Sequence, residues 1–311
     1  MILEKKYSGI TVPVLTPVLE DETVDEAGYR TLIKYLLDNG IHGVFACGTL
    51  GETMTLTQAE RDRAIRIAAD ACNGKAKVFA GVMDTSTKRV IENIKRIEDC
   101  GCDAVVITPV FYDRHTSQSE IIRLFEDAAK STKLDLIAYN IPSFVMEKMD
   151  PATVAALADI DSVKGYKDSA GVFNDTVKVL NNLADREDFS ILSGTPVQYM
   201  PSALLGCDGC VPGMASMYPK VFVEAYNASL TGDVELMRKF NKLICLAGSV
   251  YASAKNGTAA VKYAVSTLGF MNERILRPQD GCSAEEKEKI HRQMKLCEQT
   301  FAAEGLESVL A

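Results

Sequence analysis

The feature that most constrains this chain is an alternation. Short runs of β-branched or apolar residues recur along it, separated by segments with helical periodicity. Eight runs are expected to be strands: Thr11–Leu15, Gly43–Cys47, Val78–Val82, Ala104–Thr108, Leu136–Tyr139, Val163–Lys167, Ser190–Leu192 and Gly209–Pro212. Between the first two, Tyr29, Leu32, Ile33, Leu36 and Leu37 fall on one face of a helix expected over Glu26–Asn39, which Gly40 stops. Ser86–Cys100 repeats the pattern with Val90, Ile91, Ile94 and Ile97, and ends at Gly101. Continuous apolar strands alternating with helices belong to a parallel sheet covered by helices. Eight such units predict an α/β fold, the (β/α)8 TIM barrel. A doubly wound open sheet is the competitor. No G-x-G-x-x-G follows the first strand, which counts against its dinucleotide-binding version.

Helical periodicity continues after the eighth strand, over Val221–Thr231, Val234–Tyr251, Thr258–Thr267 and Ala284–Glu304. The chain therefore reads as a barrel region, residues 1–220, and a C-terminal helical extension, residues 221–311, in one structural unit. With 311 residues, 47% of them apolar, it can bury one sizeable core. Its 34 basic and 42 acidic residues leave a net charge of −8, so nothing global attracts nucleic acid or anionic lipid. No apolar stretch approaches the ~18 residues of a membrane span. Met1 to Gly9 carries Glu4, Lys5 and Lys6 and no apolar core of a signal peptide, so a cytoplasmic location is expected. Nine cysteines, several within apolar segments (Cys47, Cys72, Cys245), suggest reduced thiols. Cys207 and Cys210 form one C-x-x-C, but His42, His115 and His291 lie far from it, and no metal site is expected.

In a TIM barrel the chemistry gathers at the C-terminal strand ends and the loops beyond them. Strand 2 is followed by Gly48-Thr49-Leu50-Gly51-Glu52, which is either an ordinary turn or a cradle of backbone N–H groups for an anion. Strand 4 leads into Thr108-Pro109-Val110-Phe111-Tyr112 and strand 5 into Tyr139-Asn140-Ile141-Pro142-Ser143-Phe144. Strand 6 ends in Gly165-Tyr166-Lys167-Asp168-Ser169. Burial of an amine disfavours its ammonium form, and a neutral amine attacks a ketone to give a carbinolamine and then an iminium. Lys167 can do this, or it can pair with Asp168 or another carboxylate. Tyr139 sits one strand away, as a proton-handling hydroxyl or as a packing tyrosine.

Taken in order, Val14-Leu15-Thr16-Pro17, Gly48 to Thr57, Ile107-Thr108-Pro109, Tyr139 to Pro142, Gly165 to Ser169, Leu192-Ser193-Gly194 and Gly206 to Gly209 resemble the N-acetylneuraminate lyase / dihydrodipicolinate synthase family of class I aldolases. The resemblance spans nearly the whole chain. It implies an imine between Lys167 and the 2-oxo carbon of pyruvate, with no other cofactor. Tyr139 would move protons, and Thr49 would hydrogen-bond Tyr139. Gly48, Thr49 and the backbone of Leu50 would hold the pyruvate carboxylate, and Gly194 and Val211 would line the pyruvyl half. The partners implied are a small 2-oxo acid, an aldehyde, and further copies of the chain in a homotetramer.

Three departures bear on the aldehyde. The synthase of lysine biosynthesis has a second hydroxyl residue where Leu50 stands, and at the position of Phe111 a tyrosine that completes a proton relay from the neighbouring subunit; Tyr112 substitutes only if the loop shifts by one residue. It also has an arginine where Phe144 stands. Losing that guanidinium removes an interaction worth about 1.5–3 kcal/mol with a substrate carboxylate. Leu50, Phe111 and Phe144 thus disfavour the synthase. The sialate and sugar-acid branches tolerate Phe144, although Val145-Met146-Glu147-Lys148 lacks the Thr/Ser-Gly they often show. An aromatic-aldehyde hydratase-aldolase is similar at Leu50. The expected function is carbon–carbon bond cleavage or formation between pyruvate and an aldehyde. Alternatives are the lysine-pathway synthase, a dehydratase of 2-oxo-3-deoxy sugar acids, and a non-catalytic 2-oxo-acid binder.

Overall fold

The computed structural model describes residues 5–112 and 117–306, so His115 and residues 1–4 of the N-terminal reading lie outside it. Eight strands close into one parallel barrel in chain order: β1 (Gly9–Pro13), β2 (Gly43–Ala46), β3 (Lys77–Gly81), β4 (Ala104–Ile107), β5 (Asp135–Asn140), β6 (Val163–Asp168), β7 (Ser190–Ser193) and β8 (Gly209–Cys210). The helices α1 (Glu26–Asp38), α2 (Gln58–Cys72), α3 (Thr87–Ile97), α4 (Gln118–Ser131), α5 (Pro142–Val145), α6 (Pro151–Ala158), α7 (Phe173–Asn182) and α8 (Pro196–Leu204) follow successive strands, with α5 and α6 both after β5. Local chemistry starts several of them. Asp25, Thr57 and Ser86 each accept a backbone N–H of the first turn, satisfying donors that have no partner inside the helix.

Each strand falls where expected, with an end displaced by two residues in β1 and β8 and by at most one in the others, and helix α3 differs in the residue it buries. β1 begins at Gly9 and stops at Pro13, because its ladder partners are Gly43–Phe45 and Gly209–Cys210. Val14 and Leu15 are apolar because they are buried, although they lie beyond the ladder. β8 stops at Cys210, short of Pro212, which has no N–H to donate. On α3, Ile91 is only half-buried, and Asn93 is the buried neighbour because its amide donates to Val82 O and Asp84 Oδ2.

The alternation of side chains along each strand divides the core in two. One set, including Phe45, Phe79, Val106, Ile137, Tyr139 and Leu192, fills the barrel interior above Tyr7. The larger set packs between strands and helices. Beyond the barrel run α9 (Pro219–Thr231), α10 (Val234–Tyr251), α11 (Gly257–Ser266) and α12 (Ala284–Ala303). Helix α10 packs on α8, α9, α11 and α12, which carries the end of α10 and the start of α11 to the barrel mouth. Among the described residues no helix is long and apolar enough to cross a membrane.

Candidate active site

Tyr139 and Lys167 are register partners on β5 and β6. Same-register residues on neighbouring strands point to the same side, here the barrel interior. Both are nearly inaccessible, at 3% and 5% exposure. The Lys167 Nζ lies 3.8 Å from the Tyr139 ring centroid and 5.0 Å from that of Phe45. Cation–π attraction therefore holds it in an otherwise apolar setting. Among the described residues no carboxylate lies within ion-pair distance of this amine.

Asp168 is excluded as its partner by strand geometry, since successive side chains face opposite ways. The Asp168 carboxylate points outward, accepting from Thr176 Oγ1 at 2.8 Å, the Ala170 N–H at 3.0 Å and Asn140 Nδ2 at 3.2 Å. Asn140 Nδ2 also donates to Tyr166 Oη at 2.9 Å, and Asn140 Oδ1 accepts the Met149 N–H. These buried bonds brace the two strand ends that carry Tyr139 and Lys167.

A cavity of about 360 Å³ opens above Lys167. Thr49, Leu50, Tyr139, Phe144, Gly194 and Val211 all line it, so seven of the expected site residues, Lys167 included, converge there. Gly194 is required by close approach. A Cβ at this position would stand 1.9 Å from Ser169 Oγ and 3.1 Å from Lys167 Cε. Gly48 supports the cavity loop from behind, its carbonyl accepting the Thr53 N–H. Phe111 lines an adjoining cavity of about 180 Å³, which shares Thr49, Ile141, Phe144 and Thr258 with the first. Lys167 is the one charged side chain among the described residues lining the larger cavity.

One expectation fails, and another reaches past a single chain. Tyr112 lines neither cavity of its own chain, and the relay hydroxyl that the resemblance implies comes from a neighbouring subunit. The Tyr112 backbone has a positive φ of 82°, which turns the chain outward, and the side chain is 94% exposed. No hydrogen bond joins Thr49 to Tyr139 among the described residues. Both face the cavity, but the Tyr139 ring is fixed by Lys167 above it and by edge-on packing against Phe45.

The loop bearing Thr49 is strained and then pinned. Cys47 and Glu52 both have positive φ, 53° and 57°, a conformation costing about 1 kcal/mol for a residue with a Cβ. Thr16 Oγ1 donates to the Gly51 carbonyl at 2.8 Å, and the buried Glu52 carboxylate pairs with Lys262 of α11 and accepts the Leu276 N–H. Sequence reasoning missed this pair. It also missed Ser143, Thr195, Cys245, Tyr251 and Thr258, which line the larger cavity. Glu52 and Ser169 stood inside recognised motifs, whereas nothing in a helical pattern marks which face of α10 or α11 meets a barrel mouth.

The C-x-x-C is packed, with Cys207 Sγ donating to the Ile191 and Gly209 carbonyls. Burial pushes the Cys207 thiol up to about 12, which keeps it protonated.

The sequence model of the dihydrodipicolinate synthetase family matches residues 6–297. The chain belongs to this family. Members of the family are pyruvate-dependent class I aldolases and lyases, and the chain is an enzyme of that class. Among its relatives, a 4-hydroxy-tetrahydrodipicolinate synthase of Methanopyrus kandleri is 31% identical over 93% of this chain and 96% of its own. One of Methanothermobacter thermautotrophicus is 33% identical over 75% of this chain and 83% of its own. Among solved structures, the dihydrodipicolinate synthase of Bacteroides thetaiotaomicron superposes with a TM-score of 0.89 at 30% identity, covering 94% of this chain and 100% of that one. A prophage protein of the same family from E. coli, solved in complex with pyruvate, gives 0.90 at 25% identity, covering 94% of this chain and 99% of that one. The names of these relatives favour the synthase, the alternative that Leu50, Phe111 and Phe144 disfavour.

Proposed function

We propose that the enzyme joins pyruvate to an uncharged aldehyde, or reverses that reaction, through an imine on Lys167. The observation that carries the imine is the buried Lys167 amine, held over the Tyr139 ring with no carboxylate partner among the described residues. The neutral amine adds to the 2-oxo carbon; the resulting carbinolamine loses its hydroxyl as water, with Tyr139 returning the proton. Loss of a C3 proton gives the enamine, whose carbon attacks the aldehyde. The N–H groups of the Gly48–Leu50 loop meet the pyruvate carboxylate. The pyruvate held by the E. coli relative supports the same donor here.

The acceptor preference rests on the wall of the larger cavity. Hydroxyls (Ser143, Ser169, Thr195, Thr258) alternate there with apolar groups (Leu50, Ile141, Phe144, Val197, Met214), and no cation besides Lys167 is among the described lining residues. A carboxylate on the acceptor would be desolvated without a partner, which costs several kcal/mol. The second reading is 4-hydroxy-tetrahydrodipicolinate synthesis, favoured by the names of the relatives. A homotetramer in the cytoplasm completes the proposal, with sedimentation velocity as the test of assembly.

Borohydride trapping with pyruvate tests the imine. A reduced adduct on Lys167 by mass spectrometry is expected, and its absence rejects the chemistry. Turnover of glycolaldehyde, glyceraldehyde or benzaldehyde is expected to exceed that of the carboxylate-bearing amino aldehyde used by the synthase. The reverse ranking selects the synthase. Product analysis separates aldol cleavage from dehydration, since only cleavage releases pyruvate.

A further inference from the structure

All nine cysteines are free thiols, and burial holds most of them inert. One pair stands apart. Cys100-Gly101-Cys102 forms the turn from α3 into β4, at the end of the barrel away from Lys167. Gly101 has a positive φ of 84°, and nothing lies within 4 Å of where its Cβ would stand, so the turn is open over its middle residue. Two residues separated by one other span at most about 7 Å between Cα atoms, and a tight turn brings them within the ~4.4–6.8 Å that a disulfide requires. Cys102 is 6% exposed, and its thiol donates a hydrogen bond to the Cys100 sulfur.

The surroundings make the two sulfurs unequal. Arg66 of α2 donates to the Arg96 carbonyl at 2.6 Å and to Asp99 Oδ1 at 2.7 Å, which brings its guanidinium to the end of α3 beside Cys100. The hydrogen bond from Cys102 outweighs burial and, with the Cys102 N–H and the Arg66 charge, brings the Cys100 thiol down to about 7. The same bond raises Cys102, which keeps its proton. Every other cysteine thiol is held above its ordinary value, chiefly by burial. A thiolate beside a protonated thiol is the arrangement of an attacking and a resolving sulfur. A structural metal would need further ligands, and among the described residues no group of three His, Cys, Asp or Glu is placed to hold one. Asp103, next in the chain, is fixed: its carboxylate accepts from the Val78 N–H and Lys77 Nζ, both at 2.9 Å, and its carbonyl accepts from Tyr7 Oη at 3.1 Å. Closure of the pair therefore moves Cys100 and the open turn towards a Cys102 held by the barrel.

We propose that Cys100 and Cys102 form a reversible dithiol–disulfide site for low-molecular-weight disulfides of the glutathione type, with Cys100 as the attacking sulfur and Cys102 as the resolving one. The site lies outside the aldol machinery and does not depend on the imine reading of Lys167. The Cys100 thiolate attacks one sulfur of the oxidant, whose S–S bond breaks, and the first glutathione leaves as its thiolate. The Cys102 sulfur, giving up its proton, then attacks the Cys100 sulfur and expels the second glutathione. Two protein thiols are oxidised and one glutathione disulfide is reduced; the two protons lost by the protein end on the two glutathiones. Excess glutathione runs both exchanges backwards.

The test incubates the native enzyme with glutathione disulfide at pH ~7, blocks the remaining thiols and maps tryptic peptides by mass spectrometry. Residues 97–114 form one tryptic peptide that holds no other cysteine. It is expected to become two hydrogens lighter before any other cysteine reacts, and to regain them with excess glutathione. Cys102→Ser is expected to stop with one glutathione on Cys100, and Cys100→Ser to leave residues 97–114 unmodified. The unmodified enzyme alone can refute the proposal, so it does not hang on the folding of either variant. Reaction of Cys245 or Cys282 ahead of this peptide overturns it. So does a glutathione that the unmodified enzyme never expels from Cys100, or a pair that oxidises only after unfolding in urea.

Discussion

Replacing Lys262 by methionine isolates the buried pair that ties the β2–α2 loop to α11. Both side chains are sealed, with 0% of Lys262 and 2% of Glu52 accessible. Burial lowers the Lys262 pKa while the Glu52 carboxylate opposes the shift, as expected of an ammonium kept charged by one partner. In Lys262→Met the carboxylate keeps only the Leu276 N–H, at 2.7 Å. Removing one partner of a buried ion pair costs about 3–5 kcal/mol, because the other charge stays desolvated. At about 2 °C per kcal/mol for a domain of this size, the melting temperature should fall by about 6–10 °C. Adding Glu52→Gln removes the stranded charge and leaves an amide oxygen for Leu276, so the double variant should recover most of the loss.

Thermal unfolding of the two single variants and the double variant forms the cycle that measures this coupling. Thr258 lies one turn before Lys262 on the same face of α11 and lines both cavities, so the pair also fixes a piece of the proposed acceptor wall. The KM for the aldehyde should therefore rise in Lys262→Met, together with the loss in stability. Purely additive losses in the double variant would refute the reasoning, as would a Lys262→Met protein that melts within about 2 °C of the unmodified one.

Other outcomes follow from the same geometry. Phe144→Arg places a guanidinium at the cavity mouth and should lower the KM for a carboxylate-bearing aldehyde about tenfold to a hundredfold; an unchanged KM would show that Phe144 does not meet the acceptor. Asp84 is buried, which by itself raises its pKa, but Arg89, the Thr85 N–H and Asn93 outweigh that and hold it below the usual carboxylate value. Its contribution to stability is thus present above the unfolded pKa and lost as pH falls through the lower folded one. Asp84→Asn should flatten the loss of stability below about pH 4 in acid titrations followed by circular dichroism. A hydrogen bond from Cys102 lowers the Cys100 thiol, while burial pushes Cys47, Cys72 and Cys207 up to about 12. Iodoacetamide near pH ~7 should therefore label Cys100 first, and Cys102→Ala should slow that labelling, read by peptide mass spectrometry.

The barrel was legible because its signal is local. Each strand is a short apolar run and each helix a 3.6-residue stripe, so order and count could be read directly. The ends of β1 and β8 were less legible, since Val14 and Leu15 are apolar for burial and the ladder stops for reasons of pairing. The donor half of the site was legible for a related reason. Tyr139, Lys167, Gly194 and Val211 stand at strand ends or just beyond them, where chain position alone fixes direction. The two-residue period even decides that Asp168 faces away from the Lys167 site. Loop geometry was beyond reach. The φ of 82° at Tyr112 sends that side chain to solvent, and no spacing rule foretells it.

Tyr251, Thr258 and Lys262 were illegible for a deeper reason, and it bears on specificity. Their positions depend on how α10 and α11 dock against α8, α9 and α12, which is a tertiary outcome. The donor half is built into the barrel, where Lys167 and Tyr139 are held by strand register and by the Asn140–Asp168–Thr176 bonds. The acceptor half proposed above draws on Phe144 in a short helix, Leu50 in a loop, and Cys245, Tyr251 and Thr258 in helices outside the barrel, all of which line the larger cavity. Helix docking can shift without disturbing strand register. Pyruvate chemistry can then stay fixed while the aldehyde changes, so relatives about 31–33% identical can share the donor and differ in the acceptor. Substitutions at the end of α10 and the start of α11 should accordingly alter aldehyde selectivity while leaving the rate of borohydride trapping with pyruvate unchanged. If trapping and selectivity moved together, the two halves would be one mechanical unit and this division would be wrong.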